Sequence, residues 1–114
     1  MPLYMTQFSY TPEAWKALVK KPEDRSTVFA EQATKLGGRL QALYYSMGEY
    51  DGLVIFEAPD QQTAAAIVFT VISPGHIKSA RTTALMTVEE AMEAMHKASS
   101  DAYPAPKLWS PVPS

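Results

Sequence analysis

The side chains best suited to hold or transform a small molecule in this sequence are Tyr4, Thr6, Tyr44, Tyr50, Asp51, His76 and Arg81. His76 follows Pro74-Gly75, where a neutral imidazole can act as a general base or a metal ligand. Arg81 stands inside the alternating stretch "HIKSARTTALM", and a charge there must pair or reach water. It can bind a ligand carboxylate, helped by Thr6, Ser79 or Thr83, or form a structural bridge to Glu57 or Asp51. Tyr50 and Asp51 lie in "MGEYDG", between Gly48 and Gly52. Asp51 can bond nearby backbone N–H groups, and both glycines can supply turn conformations costly for other residues. The alternative places Tyr50 and Asp51 at the rim of a cleft as ligand hydrogen-bonding groups. Tyr4, Tyr10, Tyr44, Tyr45 and Tyr50 are dense for a small sheet and suit either a planar ligand or a packed core. Pro2 would offer a basic secondary amine only after loss of Met1. No catalytic residue can be assigned from spacing, and no metal-ligand cluster is present.

These residues need a scaffold. "PLYMTQFSY" alternates as a strand, with Tyr4, Thr6, Phe8 and Tyr10 on one side and Leu3, Met5, Gln7 and Ser9 on the other. Thr11-Pro12 opens a helix bearing Trp15, Leu18 and Val19, and Pro22 interrupts it. A second segment from Glu23 to Leu36 turns Val28, Phe29, Ala33 and Leu36 inward, and Gly37-Gly38 stops it. Residues 39–47 form a second strand and residues 53–58 a third. The apolar run Leu53–Phe56 predicts that the third is covered on both faces. Asp60 caps a helix ending at Ser73-Pro74-Gly75, residues 76–86 form the fourth strand, and Thr87 with Glu90 has capping-box spacing for a last helix. Val88, Ala91, Met92 and Met95 make its inward stripe.

The order β-α-β-β-α-β plus one helix predicts an α+β, ferredoxin-like fold: a four-stranded antiparallel sheet with helices on one face. Residues 1–98 form the domain. Residues 99–114, with Pro104, Pro106, Pro111 and Pro113, form an extended tail from which Tyr103, Leu108 and Trp109 should dock on a surface such as a neighbouring subunit.

Bulk composition narrows the function. The chain has 114 residues, a net charge of −2 and 46% hydrophobic residues, as for one globular domain. That charge, spread without blocks, argues against nucleic acid. No apolar run is long enough to span a membrane, and the N-terminus lacks a signal-peptide pattern. The absence of cysteine removes disulfide and thiolate chemistry and fits a cytoplasmic protein.

Helices cover only one sheet face, yet both faces carry apolar side chains. Alternation groups Leu40 with Tyr44, and Leu43 with Tyr45 and Met47, on opposite sides of the second strand. A bare face of that kind marks an interface. It predicts a homodimer, or a higher homo-oligomer, joined through the open sheet face. The alternative is that the last helix or the tail folds over that face.

The blocks "MPLYMTQFSYTPEAWKALVKKPEDR", "KLGGRLQALYYSMGEYDGLVIFEAPD" and "IKSARTTALMTVEEAMEAM" resemble the GYD-domain family over residues 1–98. The family's Gly-Tyr-Asp turn is present here with Glu49 inserted between Gly48 and Tyr50. The resemblance implies the dimeric α+β-barrel group but no particular reaction. Two functions fit it. One is a small-molecule-binding barrel dimer, as in cofactor-independent oxygenases or isomerases of that group, with a pocket between sheet and helices. The other is a non-catalytic ligand sensor or assembly module. The wider group includes haem proteins with an axial histidine, which makes His76 the candidate for that role. It stands alone in sequence, so no cofactor is expected and haem through His76 is the alternative.

Overall fold

The computed structural model describes residues 1–108, 110 and 112. The elements in chain order are β1 (Leu3–Tyr10), α1 (Pro12–Lys20), α2 (Arg25–Lys35), β2 (Arg39–Tyr45), β3 (Gly52–Glu57), α3 (Gln61–Ile72), β4 (Ile77–Leu85) and α4 (Val88–Ser99). The caps are local chemistry. The Thr11 hydroxyl accepts from Ala14 N–H at 3.2 Å, Asp24 accepts from Ser26 N–H at 2.9 Å and Asp60 from Thr63 N–H at 2.8 Å. At α4 the Thr87 hydroxyl accepts from Glu90 N–H at 3.0 Å while the Glu90 carboxylate accepts from Thr87 N–H at 2.8 Å. Each satisfies donors that the first turn of a helix leaves without partners.

The strands pair antiparallel in the order β2-β3-β1-β4, the ferredoxin-like arrangement. The register sorts the side chains into rows. On the helix side these are Leu40–Phe56–Tyr4–Ala84, Leu43–Val54–Thr6–Thr82 and Tyr45–Gly52–Phe8–Ala80. On the other side they are Arg39–Glu57–Leu3–Leu85, Ala42–Ile55–Met5–Thr83 and Tyr44–Leu53–Gln7–Arg81. A register shift between Leu40 and Ala42 reverses the expected sides of β2. One extra residue in a strand turns all that follow to the opposite face. Leu40, Leu43 and Tyr45 therefore face the helices, and Tyr44 faces away.

The core is small. Tyr4, Phe29, Ala33, Val54, Phe56, Ala58, Ala64 and Ile67 are buried together, with Leu40, Leu43, Val68 and Val71 packed against them. Of the α2 stripe, Phe29 and Ala33 are buried, whereas Val28 and Leu36 are exposed. Gly37 ends α2 at φ 94°, the left-handed conformation expected there. Gly52 has a different role from the one its turn suggests, because its φ is not positive. A Cβ there would lie 2.7 Å from the Phe8 ring and 2.7 Å from the Tyr44 carbonyl oxygen. Gly52 lets an aromatic ring lie on the strand. Gly48 also lacks a positive φ and sits in open space.

The opposite face has no cover from the described residues of the chain. Leu53 and Ile55 are only half-buried, so β3 is not enclosed on both sides in a single subunit. No residue of α4 is buried, and its supposed inward stripe is exposed at Val88, Met92 and Met95. Tyr103 and Leu108 are also exposed, and Trp109 lies outside the described residues. The chain exposes 8731 Å². A compact monomer of 12.6 kDa exposes about 6,200 Å².

Candidate functional site

β4 is an edge strand, and the helices cover its inner side poorly: Ala80, Thr82 and Ala84 are exposed. The space left beneath β1 and β4, between α2 and α3, is a cavity of about 190 Å³. Its walls are mainly apolar, from Phe8, Val28, Phe29, Val54, Val68 and Ile77, with Thr6, Tyr10, Arg25, Gln32, Thr70 and His76 supplying polar groups. Among the described residues no acidic side chain lines it.

The polar groups are positioned by the folding of the chain around them. Thr6 and Thr82 share a hydroxyl hydrogen bond at 2.8 Å across β1 and β4. The Thr11 N–H donates to the His76 carbonyl at 3.0 Å, which fixes the start of β4 against the end of β1. That brings the His76 ring over Tyr10, with centroids 6.1 Å apart and planes 28° from parallel. The Tyr10 and Tyr45 hydroxyls lie 3.2 Å apart. Burial, then the hydrogen bond to Tyr45, raises the Tyr10 pKa well above the usual phenol range. Tyr10 is therefore a neutral hydroxyl at physiological pH. His76 is held below the ordinary imidazole value, first by burial and then by the charge of Arg25. Arg25 opens α2, and its Nη1 pairs with the Glu23 carboxylate at 2.6 Å.

The Gly-Tyr-Asp turn stands behind this wall. One carboxylate oxygen of Asp51, Oδ2, accepts from the Tyr10 backbone N–H at 2.9 Å and from the Trp15 indole N–H at 2.9 Å. Its own N–H donates to the Phe8 carbonyl at 2.9 Å, and its carbonyl accepts from Ser46 N–H at 2.8 Å. Asp51 thus ties the β2–β3 turn to the end of β1 and to α1. Trp15 in turn meets Tyr10 edge-on at 5.2 Å. The carboxylate is a structural fastener, and its effect on the cavity passes through the position of Tyr10.

Thr6 and His76 are the sequence candidates that the fold brings to the cavity. Tyr4 lies in the core, stacked on Phe56 at 5.8 Å. Tyr44 and Arg81 lie on the opposite face of the sheet, the first because of the shift in β2. Tyr50 is half-buried in the turn, where its carbonyl accepts from the Ser46 hydroxyl at 2.8 Å, and it does not line the cavity. The bridge suggested for Arg81 does not form: Glu57 pairs with Arg39 at 3.2 Å, and Asp51 is engaged by Tyr10 and Trp15. His96 is exposed. Among the described residues no cluster of three or more His, Cys, Asp or Glu could hold a metal ion.

Arg25 and Gln32 line the cavity without having been singled out by pattern, and Tyr10 stood out only as one of the dense tyrosines. Arg25 carried one signal. A cation at the first position of a helix opposes the helix dipole, so such a residue calls for another explanation.

Comparisons with known proteins agree with this fold. The GYD domain family model matches residues 4–95. A Thermus thermophilus protein named glutamine synthetase and cystathionine beta-lyase binding protein is 32% identical over 79 residues, covering 69% of this chain and 83% of that protein. The crystal structure of MtbAldR superposes with a TM-score of 0.55 at 14% identity, over 75% of this chain and 53% of that one, so this chain spans about half its length. TTHA0845 from Thermus thermophilus superposes with a TM-score of 0.52 at 13% identity, covering 77% and 96% of the two chains. These two likenesses bear on fold alone, the ferredoxin-like α+β fold. With the family match spanning most of its length, the chain belongs to the GYD domain family.

Proposed function

We propose that this GYD-domain chain is a small-molecule-binding protein that works as a homodimer, with the two open sheet faces in contact. The observation that carries the binding role is the cavity between sheet and helices: concave, mostly apolar, and fitted with Tyr10, Arg25 and His76 at one end. A domain built only to pack would fill that space with apolar atoms. Two of the groups there, Tyr10 and His76, have displaced pKa values, a pattern frequent at functional sites.

The dimer rests on area. Four strands spaced about 4.8 Å apart and some 25 Å long present about 500 Å². Two such faces together bury about 1,000 Å², the lower bound for a specific interface. The reading uses no cofactor. A cavity of 190 Å³ is below the pocket size of ordinary organic ligands, so a porphyrin on His76 does not fit without rebuilding the walls. The lack of cysteine supports a cytoplasmic setting.

A fragment screen by thermal shift and NMR, run on the wild type and on Ala80→Trp, tests the binding role. Ala80 lines the cavity from an edge strand, so the indole should fill the space while the sheet stays intact. Fragments that stabilise the wild type and not Ala80→Trp support the reading. Fragments that bind both equally contradict it.

A second reading, as a protein-binding module, is favoured by the name of the Thermus relative and by the unburied Val88, Met92 and Met95 of α4. Saturable binding of purified glutamine synthetase, lost in a Met92→Ser/Met95→Ser variant, would support it; no binding would remove it.

A further inference from the structure

The cavity is electrically one-sided. Among the described residues Arg25 is the one formal charge in its lining, and the remaining polar groups are hydroxyls, an amide and an imidazole. Its side chain is partly buried, at 27% exposed. Glu23 engages Nη1 only, and Glu23 itself is outward, with its side chain 54% exposed. The guanidinium fork has further donors at Nε and Nη2. A ligand amine brought to this end would meet the charge of Arg25. A ligand carboxylate would meet a planar, bidentate partner.

We propose that the cavity takes a small carboxylic acid with an apolar body, its carboxylate paired with Arg25 beside Tyr10 and His76. The proposal rests on the small-molecule reading above and specifies its ligand. The apolar part lies against Phe8, Phe29, Val54 and Val68, where removal from water favours hydrocarbon over polar groups. Size restricts it further. The cavity holds about 190 Å³, smaller than the pockets of drug-sized ligands. That suits a benzene ring or a short alkyl chain bearing one carboxylate.

The neighbouring groups fit an anion. Tyr10 is a neutral hydroxyl, so it adds no negative charge. Burial, then the charge of Arg25, disfavours a proton on His76. A carboxylate paired with Arg25 would offset its charge and restore basicity to the imidazole.

The test uses the full-length protein and four probes: benzoate and hexanoate, with benzamide and hexanamide as uncharged counterparts. Calorimetry and proton NMR of His76 provide the readouts. The expected result is that each acid binds about tenfold or more tightly than its amide, as a charge-assisted pair requires. Arg25→Met should lose that margin for the acids, with a smaller loss for the amides, while Arg25→Lys keeps part of it. The acids should raise the His76 titration midpoint, and the amides should not. Equal binding of acid and amide to the wild type overturns the charge assignment and leaves the cavity as a neutral site. Acid binding that survives Arg25→Met also overturns it. If no probe binds at up to about 10 mM, an affinity too weak to matter, while neutral fragments still bind the cavity, the carboxylate assignment fails alone. If neither probes nor fragments bind, the small-molecule reading fails with it.

Discussion

The two faces of the sheet are made from similar residues and differ in what covers them. Inside, Tyr4, Val54 and Phe56 are buried under α2 and α3. Outside, Leu3, Met5, Leu53 and Ile55, from the same two strands, are half-buried at best. Alternation along a strand explains how one chain can produce both faces, since successive side chains point in opposite directions. It does not explain why the outer face is apolar. A solvent-facing side of an antiparallel sheet ordinarily carries polar residues. The contrast teaches that the inner face holds the subunit together, while the outer face is left apolar and uncovered, as the proposed dimer requires.

The comparison can be broken by substitutions on each side. The largest effect is expected for Phe56→Ala, which empties a fully buried position. Such truncations cost about 3–5 kcal/mol, comparable to the lower range of whole-domain stability, so urea denaturation should show a molecule near unfolding at room temperature. Ile55→Asp, the next residue along β3, should leave the secondary structure in place. It should weaken self-association by about 3 kcal/mol or more, seen as a lower mass in light scattering. If Ile55→Asp unfolds the chain as Phe56→Ala does, the two faces do not have separate roles.

A smaller loss is expected at the turn. Asp51→Ala removes bonds to the Tyr10 amide and the Trp15 indole. A charge-assisted pair of this kind is worth about 2 kcal/mol. In a Trp109→Phe background the emission of Trp15 should also shift to the red, and an unchanged spectrum would contradict the fastening role. The smallest effect concerns pH. The His76 pKa is lowered on folding, so the unfolded chain binds this proton more readily. Stability from this group is therefore full above the ordinary imidazole pKa of about 6.5 and declines as pH falls through the folded value. His76→Gln should flatten that slope in melting curves recorded between about pH 5 and 8.

Local signals in the sequence located the elements well. Thr11-Pro12, Asp60 and the Thr87/Glu90 pair act over three residues, and all three caps form. The site was less legible because its members meet through distant contacts. The extra residue in β2, near Gln41, leaves no mark in composition, yet it moved Tyr44 to the outer face. Asp51 was recognisable as a hydrogen-bonding residue, but Trp15, which it holds, is 36 positions away. Arg25 was not among the residues the sequence offered as candidates, and folding brings it beside Tyr10 and His76. The apolar stripe of α4 was visible too. Periodicity shows that such a stripe exists, not what it packs against.

The most direct test of the account is the solution mass of the wild-type chain by sedimentation equilibrium across a range of concentrations. The expected result is a dimer, or a larger even-numbered assembly, that Ile55→Asp dissociates. A monomer at every concentration would contradict the claim that the uncovered sheet face is closed by a second copy of the chain.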